Sequence, residues 1–431
     1  MSAAPLKIAV AGLGTVGAEV VRILAADADL LAARAGRGFV VTDVSARDHN
    51  RERGIDLSPY TWHDDAAEMA SNADVDIVVE LVGGADGTAH AAVRNALAAG
   101  KHVVTANKAM VAKHGVTLAA QAENAGKVLA YEAAVAGGIP IVKALREGLA
   151  GNHISGIYGI LNGTCNFILT TMRETGRSFA DVLKEAQDLG YAEADPSFDV
   201  GGNDAAQKLA IMASIAFGIP VDEDAVYVSG ITEVSADDIA FADELGYRIK
   251  LLGIAKRTDA GIEQRVHPVM IGRDSPLGQI EGVTNAVEVA GSAVGTVVLT
   301  GPGAGGGATA SSVLSDLIDL AAGRRSPTFG IPHTMMQPAA QVPMDRLEGA
   351  YYLRLMVWDK PGVIASVAGA LGRHGVSLES MIQRGRDPNE PVPVVMVTHE
   401  CAEAAMRAAL AEIEGLDAVA ESPTLIRIEG L

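Results

Sequence analysis

A short acidic segment in the middle of the chain combines the side chains needed for proton transfer. Residues 189–208 read LGYAEADPSFDVGGNDAAQK and include Glu193, Asp199, Asp204 and Lys208. If a helix begins near residue 203, Asp204 and Lys208 lie on one face, within reach of one small polar substrate. A lysine whose neighbours favour its neutral form can give a proton to an oxygen and take it back. The same spacing is also typical of salt bridges on helix surfaces, so the pair alone leaves both interpretations open.

A glycine turn near the N-terminus indicates which reaction such a proton transfer would accompany. Residues 7–11 form an apolar strand, GLGTVG follows at 12–17, and a helix is predicted from residue 18 to 26. In such a unit Gly12 permits the tight turn, Gly14 lets the backbone approach a pyrophosphate, and Gly17 lets helix and strand pack closely. The helix N-terminus offers its amides to the phosphates. We therefore predict a Rossmann dinucleotide site and hydride transfer; the alternative is a glycine-rich turn without a ligand.

Two charged positions at predicted strand ends bear on the cofactor. The second strand ends in Ala46-Arg47-Asp48. An arginine there pairs with the 2′-phosphate of NADP, whereas an acidic residue binds the ribose hydroxyl of NAD. Arg47 favours NADP, and Asp48 leaves NAD open. Lys108 follows the fourth strand at a carboxyl edge, where open α/β sheets bind ligands, although a surface lysine fits that position equally well.

The elements that must position these residues predict three units of α/β and α+β type. The first is a doubly wound Rossmann domain whose β-branched runs lack alternation, as in parallel strands covered on both faces. Its predicted strands are 7–11, 40–46, 75–82, 102–105 and 127–131. A substrate-binding and dimerisation unit follows, with a predicted strand at 154–161 and helices at 139–149, 166–174, 179–189 and 204–217. Four prolines between residues 325 and 347 predict a linker.

The predicted bounds follow from these patterns. The Rossmann domain covers residues 1–135 and is completed by a helix at 308–322, the middle unit covers 136–307, the linker 323–347 and the last unit 348–431. The last unit reads as βαββαβ, of ferredoxin-like order. Its predicted strands are 351–357, 376–383, 392–399 and 425–429, its helices 363–374 and 402–414, and a turn is predicted at 387–391.

Composition excludes several classes of protein. The 34 basic and 53 acidic residues give a net charge of −19, which repels nucleic acid and anionic membranes. No apolar run approaches the roughly 18 residues that span a bilayer. The two cysteines match no disulfide framework or zinc pattern, and the ten histidines show no HExxH or close ligand cluster, so catalytic zinc is not expected. We expect a soluble cytoplasmic protein.

Six segments together resemble homoserine dehydrogenase. They are GLGTVG, TANK, YEAAVAGGIPI, LNGTCNFIL, LGYAEADPSFDVGGNDAAQK and GPGAGGGATAS, in the family's order and spacing over about residues 5–325. The resemblance implies reversible oxidation of L-homoserine to L-aspartate 4-semialdehyde with NAD or NADP, in the pathway to threonine, methionine and isoleucine. It also implies a homodimer or homotetramer formed through the middle unit.

The resemblance assigns roles to individual residues. Lys208 matches the general acid/base at the substrate oxygen, Glu193 and Asp204 match carboxylates that hold the substrate, and Asp199 supports them. Repulsion between Lys108 and Lys208 would help a lysine to release its proton. The cofactor contacts implied by the family are Gly12, Leu13, Gly14, Thr15, Val16, Gly17, Arg47, Lys108, Gly190 and Gly305.

The segment YEAAVAGGI resembles the family's loop for a monovalent cation. Glu132 is expected to contribute its side chain, and Val135, Gly137 and Ile139 their carbonyls, an all-oxygen site suited to sodium. From the residues alone the segment reads as a strand end and a loop.

The last unit, opened by the turn DKPG at residues 359–362, resembles an ACT domain. This module often binds amino acids at a dimer interface, and in this family it implies feedback control with L-threonine as the natural ligand. The alternative is an ACT fold that serves oligomerisation and binds no ligand.

Two rival functions are weaker. The first is another Rossmann oxidoreductase on a small amino acid or aldehyde; a phosphorylating semialdehyde dehydrogenase would need a nucleophilic cysteine with a histidine, and Cys165 lies in the LNGTCN segment without one. The second is a non-catalytic sensor of NAD(P) and an amino acid. A sensor has no need of a proton donor such as Lys208 beside Glu193 and Asp204.

Overall fold

The N-terminal part of the chain folds into a parallel six-stranded sheet with helices between its strands. The computed structural model describes residues 3–384 and 390–431. The strand order is β3-β2-β1-β4-β5-β6, so the strand before the glycine turn lies in the middle. The elements are β1 Ala3–Ala11, α1 Thr15–Ala26, α2 Ala28–Ala35, β2 Arg37–Ser45, β3 Thr61–His63, α3 Ala66–Asn72, β4 Ile77–Glu80, α4 Thr88–Ala98, β5 His102–Thr105, α5 Lys108–Asn124 and β6 Leu129–Ala130.

The Rossmann sheet is the predicted one, with differences at strand ends. The fourth predicted strand, 102–105, has the observed bounds of β5, whereas β3 was not predicted. The predicted strand 75–82 shrinks to β4 because the buried Glu80 carboxylate accepts the N–H groups of Val82 (2.7 Å) and Gly83 (3.2 Å), which turns the chain. The predicted strand 127–131 shrinks to β6 because a 3₁₀ turn begins at Glu132.

The middle of the chain adds helices and a second sheet. Its elements are α6 Ile141–Lys143, β7 Ile154–Ile160, α7 Gly163–Thr175, α8 Phe179–Asp188, α9 Ser197–Val200, α10 Asn203–Phe217, β8 Tyr227–Val228, α11 Ala236–Glu244, β9 Tyr247–Thr258, β10 Gly261–Gly272, β11 Thr284–Gly291, β12 Gly295–Pro302 and α12 Gly306–Ala321. The helix predicted at 139–149 is observed over residues 141–148, and its second half is π-helical. Pro140, which lacks an N–H, precedes α6, and residues 144–148 continue it as a π-helical turn closed by Leu149 N–H to the Ala144 carbonyl, 2.7 Å.

The C-terminal part has the predicted βαββαβ order. Its elements are β13 Glu348–Val357, α13 Val363–Arg373, β14 Leu378–Gln383, β15 Val392–Thr398, β16 Cys401–Ala402, α14 Glu403–Glu414 and β17 Thr424–Glu429. Its four main strands lie in the order β17-β13-β15-β14, and both helices cover one face. Most of the turn predicted at 387–391 lies outside the described residues.

The second sheet does not stop at the boundary of the C-terminal unit. β17 pairs in parallel with β10 at Val269↔Arg427, Met270↔Ile428 and Ile271↔Glu429. An eleven-stranded sheet therefore runs from β12 to β14 through both units. The sequence analysis did not foresee this pairing.

The stretch predicted as a linker packs against the two preceding units. Phe329 is buried and lies 5.7 Å from Tyr131, ring centre to ring centre, and Gln341 forms a β-bridge with Ile262. The helix α12 returns to the first sheet, where Val313 and Leu317 join the apolar core of β1 and α1. In the described part of the chain, every helix is too short or too polar to cross a membrane.

Candidate active site

Lys208 is the centre of a buried polar cluster between the two sheets. Its Nζ donates to the Leu161 carbonyl and to Asp204 Oδ2, each at 2.7 Å. The other Asp204 oxygen faces Lys108 Nζ at 3.3 Å. Asp204 and Lys208 stand on one face of α10, and Lys108 is the first residue of α5, at the carboxyl edge of the first sheet. The structure thus joins three predicted residues and brings the helix of the second unit to the cofactor edge of the first.

Asn162 holds two carboxylates of this cluster, a role that the sequence analysis missed. Its Nδ2 donates to Asp199 Oδ1 at 2.8 Å and to Asp204 Oδ2 at 2.9 Å. Its Oδ1 accepts the backbone N–H of Cys165 at 2.8 Å and caps α7. The signal was present in LNGTCN, since an asparagine before a helix is a common N-cap, but the second use of its amide depends on tertiary structure.

The charges of the cluster are balanced around Asp204. Burial alone would raise the pKa of Asp204, but the ammonium groups of Lys208 and Lys108 lower it to about 2. Burial raises the pKa of Asp199, against the hydrogen bond from Asn162. The direct repulsion predicted between Lys108 and Lys208 is therefore offset, because the ionised Asp204 carboxylate lies between them. The Lys208 ammonium is thus oriented by two acceptors, the Leu161 carbonyl and the Asp204 carboxylate.

Glu193 lies apart from this cluster. Within the described residues its carboxylate makes no hydrogen bond or ion pair, and its side chain is exposed; only its backbone carbonyl is engaged, by Gln187 Nε2 at 3.0 Å. Gly190, at the end of α8, has a positive φ of 76° and open space around it. The segment 189–197 thus forms an exposed wall beside the cluster, and a contact from Glu193 to a substrate stays a prediction.

The glycine turn has the shape required to hold a pyrophosphate. Gly12 has φ +97°, and a Cβ there would lie 2.5 Å from the Leu81 carbonyl oxygen; a Cβ on Gly17 would lie 1.9 Å from the Gly12 oxygen. Around Gly14 nothing lies within 4 Å of such an atom. The first and third glycines are thus fixed by packing, and the second faces open space, as expected for close approach of a ligand. Thr15 and Val16 begin α1, and the Leu13 side chain is buried in the core.

Two helix N-termini lie side by side at this turn. Gly305, with φ +109°, caps α12, and a Cβ on the next residue, Gly306, would lie 3.0 Å from Thr15 Cγ2. Both helix ends present free N–H groups to the same region, which favours phosphate binding. The predicted contact of Gly305 with the cofactor fits this position.

Arginines follow the carboxyl end of β2. Arg47 is exposed, while Arg53 Nε donates to the Leu13 carbonyl at 3.1 Å and its guanidinium lies 5.7 Å from the centre of the Trp62 ring. Asp48 Oδ1 accepts the N–H of Asn50 at 2.9 Å, so this carboxylate is partly engaged within its own loop. The sequence analysis overlooked Arg53, although ARDHNRER holds three arginines between residues 47 and 53.

The loop expected to bind a cation carries buried negative charge. Burial raises the pKa of Glu132 to about 7, with Asp316 as the next cause. Each Glu132 carboxylate oxygen already accepts a backbone N–H, from Val142 at 2.9 Å and from Lys143 at 2.8 Å, so this side chain caps α6. Lys143 is shared between Asp316 and Asp319, and Asp319 also pairs with Arg324.

The carbonyls of this loop are only partly engaged. Gly137 O accepts the Ser312 hydroxyl at 2.7 Å, and Ile139 O accepts the Ile141 N–H at 2.8 Å. Ala136 has φ +55° and is the one non-glycine residue of the described chain with positive φ, which marks a strained turn in this loop. The charge and the oxygen donors fit a monovalent cation, with Glu132 engaged more as a helix cap than we predicted.

Cys165 has no nucleophilic setting. It is fully buried, burial raises the pKa of its thiol, and Sγ donates to the Asp199 carbonyl at 3.3 Å. The structure therefore agrees with its interpretation as a small apolar residue.

Family models match three parts of the chain. One described as homoserine dehydrogenase covers residues 140–318, one described as the NAD binding domain of homoserine dehydrogenase covers 12–132, and one described as an ACT domain covers 351–418.

Relatives and solved structures agree with these models. A homoserine dehydrogenase of Pseudomonas aeruginosa is 48% identical over 99% of both chains. The crystal structure of a homoserine dehydrogenase from Thiobacillus denitrificans is 43% identical, covers 100% of both chains and superposes with a TM-score of 0.94. A hyperthermophilic archaeal homoserine dehydrogenase in complex with NADPH is 28% identical, covers 75% of this chain and 99% of its own, and has a TM-score of 0.65.

Proposed function

Because the chain belongs to the homoserine dehydrogenase family, we propose that it interconverts L-homoserine and L-aspartate 4-semialdehyde with Lys208 as its general acid and base. The chain is an oxidoreductase with an NAD(P)-binding domain. One observation carries the assignment of the site: Lys108, at the cofactor edge of the first sheet, and Lys208, on α10, face the same carboxylate, Asp204. This arrangement puts a proton donor beside the dinucleotide edge.

The proposed reaction divides the work between cofactor and protein. Bound NAD(P)H supplies a hydride to the aldehyde carbon. Lys208 Nζ gives its proton to the aldehyde oxygen as the carbonyl becomes an alcohol, and in the other direction the neutral amine removes the hydroxyl proton. Asp204 and the Leu161 carbonyl aim the Nζ group, and Asn162 fixes Asp204. Glu193 and Asp204 are proposed to hold the polar groups of the substrate, with Asp199 in support.

We propose that NADP is preferred over NAD, since Arg47 is free to meet a 2′-phosphate and Asp48 is partly engaged. Oxidation of L-homoserine measured side by side with NADP and NAD tests the reaction and the preference together. Turnover of L-homoserine with either cofactor supports the proposed function, and its absence with both contradicts it.

Replacing Arg47 by alanine is expected to raise the KM for NADP and leave the KM for NAD unchanged. Hydrogen bonds to a charged group contribute about 1.5–3 kcal/mol, so the expected rise is roughly 10- to 150-fold. Steady-state kinetics with both cofactors measures this change in KM. The matched control is Arg34→Ala, which removes an exposed arginine that lies on α2, away from the end of β2. Equal effects on both cofactors would remove Arg47 from this role.

A monovalent cation such as sodium is proposed for the loop formed by Glu132, Val135, Gly137 and Ile139. The support is the pair of buried carboxyl groups of Glu132 and Asp316, whose ionised forms a cation would stabilise. The loop is hydrogen-bonded to α12 through the backbone N–H of Glu132 and the carboxylate of Asp316, so the proposed contribution of the cation is structural.

The ACT domain is proposed to bind L-threonine and to lower activity. The β17–β10 pairing supports this, because it joins the sheet of the ACT domain to the sheet of the active-site unit. A ligand that shifts β17 would therefore also act on β10. Millimolar L-threonine added to the full chain is expected to reduce the rate of homoserine oxidation, with D-threonine as the control. Unchanged rates would leave the ACT fold as an oligomerisation module.

The assembly is proposed to be a homodimer or homotetramer formed through the middle unit. Its outermost strand, β12, pairs only with β11 in the described sheet and carries half-exposed apolar residues such as Val297 and Leu299. Light scattering of the full chain measures this. A cytoplasmic location is proposed because both cysteines are free thiols.

A further inference from the structure

A cluster of two imidazoles and one carboxylate lies outside the active site. Asp86 belongs to the loop 81–87 between β4 and α4, His90 lies in the first turn of α4, and His114 lies on α5. Their ligand atoms all lie within 4.8 Å of one another. Within residues 3–384 and 390–431, this is the one group of histidine, cysteine or acidic side chains with that proximity.

We propose that Asp86, His90 and His114 form a binding site for one transition-metal cation of the zinc class. Two imidazole nitrogens and a carboxylate oxygen are the donors that Zn²⁺ takes, and three protein ligands leave a fourth position for water. The sequence analysis saw no ligand cluster among the histidines, because residues 86, 90 and 114 converge only when α4 and α5 pack together.

The side chains are close to the geometry that such a cation needs. His114 Nε2 lies 2.8 Å from Asp86 Oδ1, and the two imidazole rings stack with 4.1 Å between centres and 10° between planes. Zinc bonds of about 2.0–2.2 Å in a tetrahedron place ligand atoms about 3.3–3.5 Å apart. One ring must turn out of the stack to aim its nitrogen at the shared point. The Asp86 side chain is 60% exposed and lies in a loop with glycines of positive φ at 84 and 87.

Lys113 competes for the carboxylate. Its Nζ lies 2.6 Å from Asp86 Oδ2, with the two side chains 49% and 60% exposed. An ion pair exposed to this extent is weak, so a divalent cation can displace the lysine. Removing Lys113 should therefore strengthen cation binding, an effect opposite to that of removing a ligand.

The site is connected to the cofactor turn. Leu81, at the start of the same loop, donates its N–H to the Ala11 carbonyl at 2.7 Å and packs against Gly12. Asn107, which caps α5, donates Nδ2 to the Gly84 carbonyl at 2.7 Å. A cation held by Asp86 and His114 would fasten this loop to α5 and fix one wall of the dinucleotide site. Because the cation would already have ordered the loop 81–87, the dinucleotide would lose less entropy on binding. The cation and the dinucleotide should therefore each bind more tightly in the presence of the other.

Titration of the full chain with Zn²⁺ against a chromophoric chelator, and with Co²⁺ followed by its visible absorption, tests the site. We expect one Zn²⁺ to bind per chain. Loss of a residue that only hydrogen-bonds a metal ligand weakens metal binding roughly 10- to 100-fold, so loss of a ligand in His90→Ala, His114→Ala or Asp86→Asn should weaken it at least that much. Lys113→Met should bind more tightly than the wild type. His153→Ala, at an exposed histidine elsewhere, is the matched control and should bind like the wild type.

The outcomes separate cleanly. Affinity that is unchanged in all three ligand variants, or lost equally in the control, would overturn the site. His90→Gln, which keeps the bulk of the side chain, guards against a variant that simply fails to fold. Fluorescence titration with NADPH, with and without Zn²⁺, tests the connection. It is supported if Zn²⁺ lowers the Kd for NADPH in the wild type and leaves it unchanged in His90→Gln. Equal Kd values with and without Zn²⁺ in the wild type would overturn it.

Discussion

Replacing Lys208 by alanine is expected to lower kcat for homoserine oxidation by about 10²- to 10⁴-fold, the usual contribution of a positioned general acid or base. Lys208 is the residue whose ammonium is aimed by the Leu161 carbonyl and by Asp204, and alanine leaves no group to carry the proton. Cofactor affinity should stay the same, because the glycine turn and α12 are untouched. Steady-state kinetics and a fluorescence titration with NADPH measure the two quantities.

Lys208→Arg is the matched variant for this prediction. Arginine keeps the positive charge beside Asp204 but does not release its proton near neutral pH, so it should restore stability and not turnover. Added small primary amines should partly rescue Lys208→Ala and have no effect on the wild type. Activity near that of the wild type in Lys208→Ala would remove the residue from its assigned role.

Replacing Asn162 by serine is expected to lower kcat/KM by roughly 10- to 150-fold. Its amide donates to Asp199 and Asp204, and a hydrogen bond to a charged group contributes about 1.5–3 kcal/mol; the expected effect is that of one such bond, because Asp204 keeps its contacts with Lys108 and Lys208. Serine keeps an oxygen to cap α7, so the helix loses little, whereas alanine would add the cost of a lost N-cap, about 0.5–2 kcal/mol. The difference between the two variants separates positioning from stability.

The pH profile distinguishes positioning by Asn162 from a merely structural role. The amide favours the ionised form of both carboxylates, so its loss raises their pKa values, and the acidic limb of the kcat/KM profile should move to higher pH. A variant that is only less stable would show a lower melting temperature with an unmoved limb. That result would reduce Asn162 to a helix cap.

The elements that the sequence predicted well are those set by local chemistry. The glycine turn, β5 and α10 follow from residues that are neighbours in the chain. Lys208 and Asp204 were found as a pair because they share one helical face. Local rules failed where a distant group intervenes, as at Glu132, whose carboxylate caps α6 ten residues later.

The parts that the sequence did not reveal depend on contacts between distant segments. Asn162, the N-cap of α7, meets Asp199 only after α7 and α9 pack, and β10 meets β17 across more than 150 residues. Neither periodicity nor composition carries such information, since each strand and helix reads the same with any partner. The resemblance of the motifs supplied roles for residues, but it did not supply these pairings.

The pairing of β17 with β10 also has a consequence during synthesis on the ribosome. β17 emerges after the other strands of its sheet, so β10 is made about 150 residues before the segment that completes its edge. Until then the backbone groups of Val269–Ile271 face solvent as an open strand edge, a template for pairing with another nascent chain. Addition of β17 therefore covers an edge that β10 exposes on the growing chain.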